Sequence, residues 1–75
     1  MKSLLEFLAR QLVDLPDEVR VREIEGERCV ILELRVAPDD MGKVIGRKGK
    51  TAQAIRTLVK AAGLREGKKV LIEII

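Results

Sequence analysis

The chain is poor in the residues that most often perform catalysis or bind metals. Histidine is absent, cysteine occurs once, and none of the 12 carboxylates lies between Met41 and Arg65. Nucleophilic and general acid–base catalysis usually require a histidine, a reactive thiol or paired carboxylates in one site. Asp39 and Asp40 are adjacent, but capping of a helix explains that pair without a metal ion. We therefore expect no enzymatic activity, no metal site and no cofactor.

Long apolar runs are also missing. No stretch approaches the roughly 18 consecutive apolar residues of a membrane span, and the N-terminal residues lack the pattern of a secretion signal. The lone Cys29 has no partner for an internal disulfide and lies in an apolar run, so it is expected to be buried in the core. A chain of 75 residues supports one core, so residues 1–75 are expected to form a single cytoplasmic domain.

The charges are segregated along the chain. The net charge is +3, and residues 41–65 carry seven basic side chains without one acidic residue. The remaining fifty residues carry eight basic and twelve acidic side chains. Such a layout predicts one positive face on an otherwise acidic body, which favours a polyanionic partner bound at a defined place. A merely solvated helix face is the alternative explanation.

Local patterns predict a helix followed by a β-hairpin. Ser3-Leu4-Leu5-Glu6 matches a capping box, and an apolar stripe at helical spacing ends before Pro16. Val19–Ile24 and Cys29–Val36 are rich in β-branched residues and are separated by a short glycine-bearing turn. The apolar alternation slips within the first of these strands, which predicts a bulge or a frayed end near Glu23.

Two further helices are predicted downstream of the hairpin. Pro38-Asp39-Asp40 offers an N-cap, and Met41–Ile45 is long enough for a short helix. A second helix is expected from Lys50 to Ala62, with Gly63 as its C-cap. Its expected inward face comprises Ala52, Ile55, Leu58, Val59 and Ala62.

A last strand completes the predicted fold. Val70–Ile75 alternates between apolar and other residues, so Val70, Ile72 and Ile74 are expected to face the helices. The predicted order is α-β-β-α-α-β. It corresponds to an α+β two-layer sandwich with three helices on a three-stranded sheet.

The segment between the two short helices has the composition of an anion-binding loop. Gly46 and Gly49 bracket two cations at the centre of the acid-free segment. Glycines let a phosphate approach the backbone without a Cβ in the way, and the start of the next helix adds amide groups and the positive end of its dipole. Arg47, Lys48 and Lys50 would supply charge. A helix C-cap followed by a tight turn is the simpler alternative.

Other nucleotide-binding modules fit less well. Gly49-Lys50-Thr51 matches the end of a nucleotide-binding P-loop, but that pattern requires a glycine where Val44 stands, and no strand directly precedes the loop. RNA recognition motifs and OB-folds stack bases on aromatic rings, whereas Phe7 is the one aromatic residue here. The K-homology (KH) module instead clamps backbone nucleotides with a GXXG loop.

Residues 44–52, with the sequence V-I-G-R-K-G-K-T-A, resemble the KH signature, and the predicted element order matches the type II arrangement. The resemblance covers the whole chain, which is similar to the small single-KH bacterial proteins of the KhpA (YlqC-like) family. It implies a protein of the bacterial cytoplasm that binds single-stranded RNA as a chaperone or regulator. It also implies pairing with itself or with a second KH-containing protein.

The resemblance also assigns roles around the loop. Gly46 and Gly49 would shape the phosphate clamp, while Arg47 and Lys48 would point toward the RNA backbone. Aliphatic residues on either side would border a base-binding groove, which the small Ala52 would make shallow. With the flanking cations included, the predicted RNA-binding residues are Lys43, Val44, Ile45, Gly46, Arg47, Lys48, Gly49, Lys50, Thr51, Ala52, Arg56 and Lys60. Aspartate at both loop glycines is predicted to abolish RNA binding without changing the fold.

A protein-interaction module with the same fold is the second hypothesis. Ile31, Leu71 and Ile75 are expected on the sheet face away from the helices, where exposed aliphatic side chains could form a dimer surface. Salt separates the two hypotheses. Binding to single-stranded RNA weakens by about 0.7 log units per log unit of salt for each phosphate neutralised, whereas an apolar interface hardly responds.

Overall fold

The chain folds as an α+β sandwich in the predicted element order. A computed structural model describes all residues from Met1 to Ile75. The helices are α1 (Lys2–Leu12), α2 (Met41–Ile45) and α3 (Lys50–Arg65), and the strands are β1 (Arg20–Glu25), β2 (Cys29–Arg35) and β3 (Lys69–Ile74). Short 3-10 turns lie at Pro16–Glu18, Pro38–Asp40 and Arg47–Gly49. None of the helices combines the length and the apolar character needed to cross a bilayer.

The three strands form one mixed sheet in the order β1-β2-β3. β1 and β2 are antiparallel, whereas β2 and β3 are parallel. The antiparallel register runs without interruption from Arg20 opposite Arg35 to Glu25 opposite Val30, so the bulge predicted near Glu23 is wrong. Ile24 breaks the apolar alternation because it lies opposite Ile31 on the outer face of the sheet.

The hydrophobic core lies between the sheet and the helices. β2 contributes its alternate residues Val30, Leu32 and Leu34, and β3 contributes Val70 and Ile72, as the alternation predicted. The helices and the remaining segments add Leu5, Ala9, Val19, Val21, Val36, Val44, Ile55 and Val59. The same alternation places the remaining residues of β2 and β3 on the outer face, away from the helices.

The helix ends differ from the sequence predictions. α1 begins at Lys2 without a side-chain cap, so Ser3 is not its N-cap, and it ends at Leu12, which leaves Leu15 exposed. α3 continues past Gly63 to Arg65, and Leu58 is exposed on it rather than inward. The spacing of apolar residues along the helices did not predict which side of each helix the sheet covers.

Gly63 is a packing residue and not a helix cap. It is buried within α3, and a Cβ added there would lie 2.3 Å from Cγ2 of Val70 and 3.1 Å from the carbonyl oxygen of Lys68. The missing side chain lets α3 approach β3 closely. The close contact at Gly63 therefore determines how far the end of α3 lies from the edge strand β3.

Cys29 is exposed, which contradicts the expected core position. It is the first residue of β2 and shares the parity of Ile31, so it lies on the outer face of the sheet. The apolar run around it contains both inward and outward positions, and composition alone did not separate them.

Candidate nucleic-acid interface

The loop between α2 and α3 has a backbone that needs glycine at both ends. Gly46 ends α2 with φ 75° and ψ 176°, and its amide donates to the carbonyl of Gly42 at 2.9 Å. Gly49 begins α3 in the left-handed region with φ 74°, and its amide donates to the carbonyl of Gly46 at 3.1 Å. These values lie in regions that L side chains adopt at a cost. The GXXG segment is therefore a tight turn between two helices.

The two glycines differ in what surrounds them. A Cβ on Gly46 would lie 2.1 Å from Oγ1 and 2.6 Å from Cβ of Thr51, so the turn is packed against the first turn of α3. A Cβ on Gly49 would meet nothing within 4 Å. The expectation that aspartate at both glycines leaves the fold unchanged is thus wrong for Gly46. Thr51, a predicted RNA contact, lies under the turn and supports it.

Lys48 is the one residue other than glycine with a positive φ, at 57°. With Arg47 it lies exposed between the glycines, and no carboxylate forms an ion pair with either. Left-handed backbone is uncommon for a lysine. The turn therefore holds two free cations outward at some conformational cost.

Further unpaired cations continue from the loop along α3. Lys50, Arg56 and Lys60 form no ion pair within 4.0 Å, and the first turn of α3 contains no acidic residue and no capping side chain. Arg56 and Lys60 are four residues apart and share one side of the helix. With Lys50 and the positive end of the helix dipole, Arg56 and Lys60 form a positive strip along α3.

Lys43 differs from the other predicted cations because carboxylates engage it. Its ammonium donates to Asp14 and lies 3.5 Å from the Asp40 carboxylate. The hydrogen bond to Asp14 is the main cause that raises the pKa of Lys43, against the opposing effect of desolvation. Its charge is therefore largely balanced within the fold, and Lys43 is a weaker candidate for RNA contact than the loop cations.

Asp40 connects the start of α2 to the segment that follows α1. Its buried carboxylate accepts the backbone amides of Asp14 at 3.2 Å and Leu15 at 3.1 Å. Burial alone would raise the pKa of Asp40, but these amide bonds and the nearby Lys43 outweigh it, so the pKa is lowered. Asp40 occupies the N-cap position of α2 without capping it. Its carboxylate instead fixes the helix that leads into the loop.

The aliphatic residues around the loop divide into buried and exposed ones. Val44 and Ala52 are buried in the core, so their side chains offer no surface to a base and support the loop from beneath. Their predicted place at the border of an open groove is corrected accordingly. Ile45, at the end of α2, is 39% exposed and is the one predicted aliphatic contact with free surface.

A shallow groove between α3 and the edge strand β3 adds residues that the sequence analysis missed. It has a volume of about 130 Å³ and is lined by Lys60, Leu64, Lys69, Val70 and Leu71. Leu64 continues the four-residue spacing of Arg56 and Lys60 on α3. That spacing could have revealed it, had Gly63 not been taken for the end of the helix.

Comparison with known proteins identifies the family. A family model described as the KH domain of KhpA and KhpB matches residues 2–74. The chain belongs to this KhpA/KhpB family of KH domains. It is 61% identical to the RNA-binding protein KhpA of Clostridium acetobutylicum and 60% identical to that of Caldanaerobacter subterraneus subsp. tengcongensis, in both cases over the whole of both chains. It is 51% identical to the Aquifex aeolicus protein of that name, over all of this chain and 95% of the relative.

Solved structures support the fold. The crystal structure of Aquifex aeolicus Era bound to GDP and AlF4⁻ superposes with a TM-score of 0.71 at 19% sequence identity. The match covers 97% of this chain and 28% of the longer Era chain. A complex of Era with MgGDPNP and a 16S ribosomal RNA segment gives a TM-score of 0.60 over the same shares of the two chains. At this identity the likeness concerns the KH-like fold alone.

Proposed function

We propose that this chain binds single-stranded RNA through the loop Gly46–Gly49 and the positive strip along α3. The observation that carries the proposal is the loop itself, which turns tightly on two glycines and holds Arg47 and Lys48 outward without carboxylate partners. KH domains clamp backbone nucleotides with such a loop. The relatives named RNA-binding protein KhpA support the same function.

The proposed binding mode follows the charges. Phosphates lie against the loop and the start of α3, where Lys50 and the helix dipole add to the two loop cations. The strand then follows Arg56 and Lys60 toward the groove beside β3, where Leu64 and Leu71 offer apolar surface and Lys69 adds charge. Bases would rest on these aliphatic side chains and on Ile45, because the one aromatic residue, Phe7, lies on α1 and not in the loop or on α3.

This mode makes most contacts with phosphate, which carries no sequence information. We therefore propose weak base discrimination and a role as a chaperone or post-transcriptional regulator of RNA in the bacterial cytoplasm. The function is binding and not catalysis. Affinity would come from charge neutralisation, so it should fall with rising salt.

The test reverses the loop charges without touching either glycine. Arg47→Asp with Lys48→Asp places carboxylates at the loop, and aspartate tolerates the left-handed conformation of position 48 better than most residues. Lys2→Asp with Arg28→Asp is the matched control, because both are exposed, make no ion pair and lie outside the proposed site.

Fluorescence anisotropy with a short labelled single-stranded RNA measures the outcome. The loop variant should lose binding in dilute salt while its far-ultraviolet circular dichroism stays as in the unmodified protein, and the control should lose much less. The salt slope of the unmodified protein should exceed about 1.4, the value for two phosphates. Unchanged affinity in the loop variant would reject this site.

Assembly through the outer face of the sheet is the second candidate function. Ile24, Ile31 and Leu71 lie side by side across the three strands, with Ile24 42% and Leu71 46% exposed. A homodimer or a complex with a second KH-containing protein could cover this row and the nearby Ile75. Sedimentation equilibrium tests this assembly. Association that persists at high salt and is lost in Leu71→Lys supports the interface. A monomer at all concentrations excludes the homodimer.

A further inference from the structure

The outer face of the sheet carries a second cluster of arginines, far in sequence from the loop. Arg20 on β1 lies directly opposite Arg35 on β2, and Arg22 occupies the next outward position on β1. Nη1 of Arg22 lies 3.7 Å from Oε1 of Glu33, whereas the guanidinium groups of Arg20 and Arg35 have no carboxylate within 4.0 Å. Two arginines without carboxylate partners thus lie directly opposite each other in the antiparallel pair.

These side chains line a surface groove. One part, of about 200 Å³, is lined by Arg20, Val21, Arg22, Glu33, Arg35 and Ile75. It adjoins a second hollow that shares Arg20, Arg35 and Ile75 and extends past Pro38 to Met41, with Glu18 as its one carboxylate. Nη1 of Arg20 donates to the carbonyl oxygens of Asp17 at 2.6 Å and Val19 at 3.0 Å, which holds that guanidinium at the rim. The guanidinium of Arg35 makes no hydrogen bond with another residue and is free to bind.

The repulsion between the two arginines opposes folding. Like charges directly opposite each other in a sheet are destabilising, and neither arginine is compensated by a carboxylate. An anion between them would remove the repulsion and engage both guanidinium forks, which match the oxygens of a phosphate in pairs. Ile75 and Met41 add apolar surface beside the charges. The groove therefore has the chemistry of a phosphodiester site with room for an adjoining base or ribose.

We propose that the groove between Arg20 and Arg35 binds the phosphates of a second segment of single-stranded RNA. The inference rests on the proposed function, because it takes RNA as the polyanion that this chain meets. The loop belongs to the helical layer, whereas these arginines project from the opposite face of the sheet. One molecule would then hold two RNA segments on opposite sides, which is a means of bringing two strands together.

The test compares two pairs of arginine substitutions with equal change of charge. Arg20→Gln with Arg35→Gln removes the proposed site. Arg10→Gln with Arg28→Gln is the control, because these exposed arginines lie outside both the groove and the loop region. Arg35→Gln alone is a second variant that removes no hydrogen bond within the fold. Two non-complementary short RNAs with donor and acceptor dyes report simultaneous binding through energy transfer, and anisotropy reports the affinity for each.

The unmodified protein should give energy transfer at low salt, and the Arg20/Arg35 variant should lose it while the loop still binds one RNA. The salt slope for a longer RNA should fall by about 1.4 in that variant, the contribution of two phosphates, and Arg35→Gln should lower it by about half as much. The control pair should retain the energy transfer. The melting temperature of the Arg35→Gln variant should stay the same or rise, because a repulsion is removed and no side-chain hydrogen bond is lost.

Failure of this inference is distinguishable from failure of the proposed function. Unchanged energy transfer and salt slope in the Arg20/Arg35 variant would overturn the second site and leave the loop site intact. If the Arg47→Asp, Lys48→Asp variant binds RNA normally and the Arg20/Arg35 variant does not, the loop proposal fails and the groove stands. Two results would assign the groove to a protein partner and overturn the second RNA site. One is a change in sedimentation with unchanged RNA affinity, and the other is tighter binding of an oligoglutamate peptide than of RNA.

Discussion

Alanine at each loop glycine should have unequal effects on stability. Gly46 and Gly49 have nearly the same φ, 75° and 74°, but their ψ values of 176° and 11° place Gly46 in a region that is essentially restricted to glycine and Gly49 in the left-handed helical region. Their surroundings differ, because a Cβ on Gly46 would lie 2.1 Å from Oγ1 of Thr51, whereas a Cβ on Gly49 would meet nothing within 4 Å. Backbone strain and close packing therefore both make alanine more costly at Gly46 than at Gly49.

The magnitudes follow from these distances. At Gly49, alanine should cost about 1–2 kcal/mol, the penalty of left-handed backbone for an L residue. At Gly46, backbone strain of about 1–3 kcal/mol is joined by overpacking of about 1–3 kcal/mol. A domain of this size has a free energy of unfolding of about 4–11 kcal/mol, at roughly 0.05–0.15 kcal/mol per residue. Gly46→Ala should therefore remove a large part of the stability, while Gly49→Ala should remain folded.

Urea unfolding followed by circular dichroism measures both losses. Thr51→Gly removes the hydroxyl and the Cβ that a Gly46 side chain would meet, so it should recover part of the loss in a double variant with Gly46→Ala. It should not rescue Gly49→Ala, which serves as the control. Equal losses at the two glycines, or no recovery with Thr51→Gly, would refute the packing of the turn described above.

Three further predictions concern single groups outside the loop. Asp40→Asn should lower the free energy of unfolding at pH 7 more than Asp39→Asn, and this difference should shrink in acid. A carboxylate with a lowered pKa stabilises the fold above its ordinary pKa and loses this effect as the pH falls through the folded-state value. Urea unfolding at pH 7 and pH 3 measures the difference between the two variants, and a difference independent of pH would contradict the prediction. The hydrogen bond and charge of Lys68 lower the pKa of Glu25, so Lys68→Gln should raise that pKa in an NMR titration, and no change would exclude the contact. Cys29 should react fully with a thiol reagent in native buffer, whereas a requirement for denaturant would show that it is buried.

The element order and the position of the loop could be predicted from the sequence because both depend on neighbours along the chain. β-Branched runs mark the strands, and the alternation in β2 and β3 separates inward from outward residues. The two glycines three residues apart, within a segment free of acidic residues, indicate the site without any knowledge of the fold. These features rest on the periodicity of helix and strand and on the conformational range of glycine.

The failures share a different origin. Asp40 binds the amides of Asp14 and Leu15, 26 and 25 residues away, and Lys68 reaches Glu25 across 43 residues. No local pattern reveals such contacts, so Asp40 was expected to cap a helix, and the ion pairs of Lys43 with Asp14 and Asp40 were not foreseen. The role of Gly63 likewise depends on how closely α3 approaches β3.

The amino-acid sequence by itself determined the kinds of elements, their order and the glycine-bracketed cations between α2 and α3. Tertiary structure alone decided which cations are free, which aliphatic side chains are exposed, and that Arg20 faces Arg35 on the outer face of the sheet. The physical reason is that conformational preference acts between neighbours in the chain. Ion pairing, burial and repulsion depend on distances in space, which folding sets between residues far apart in sequence.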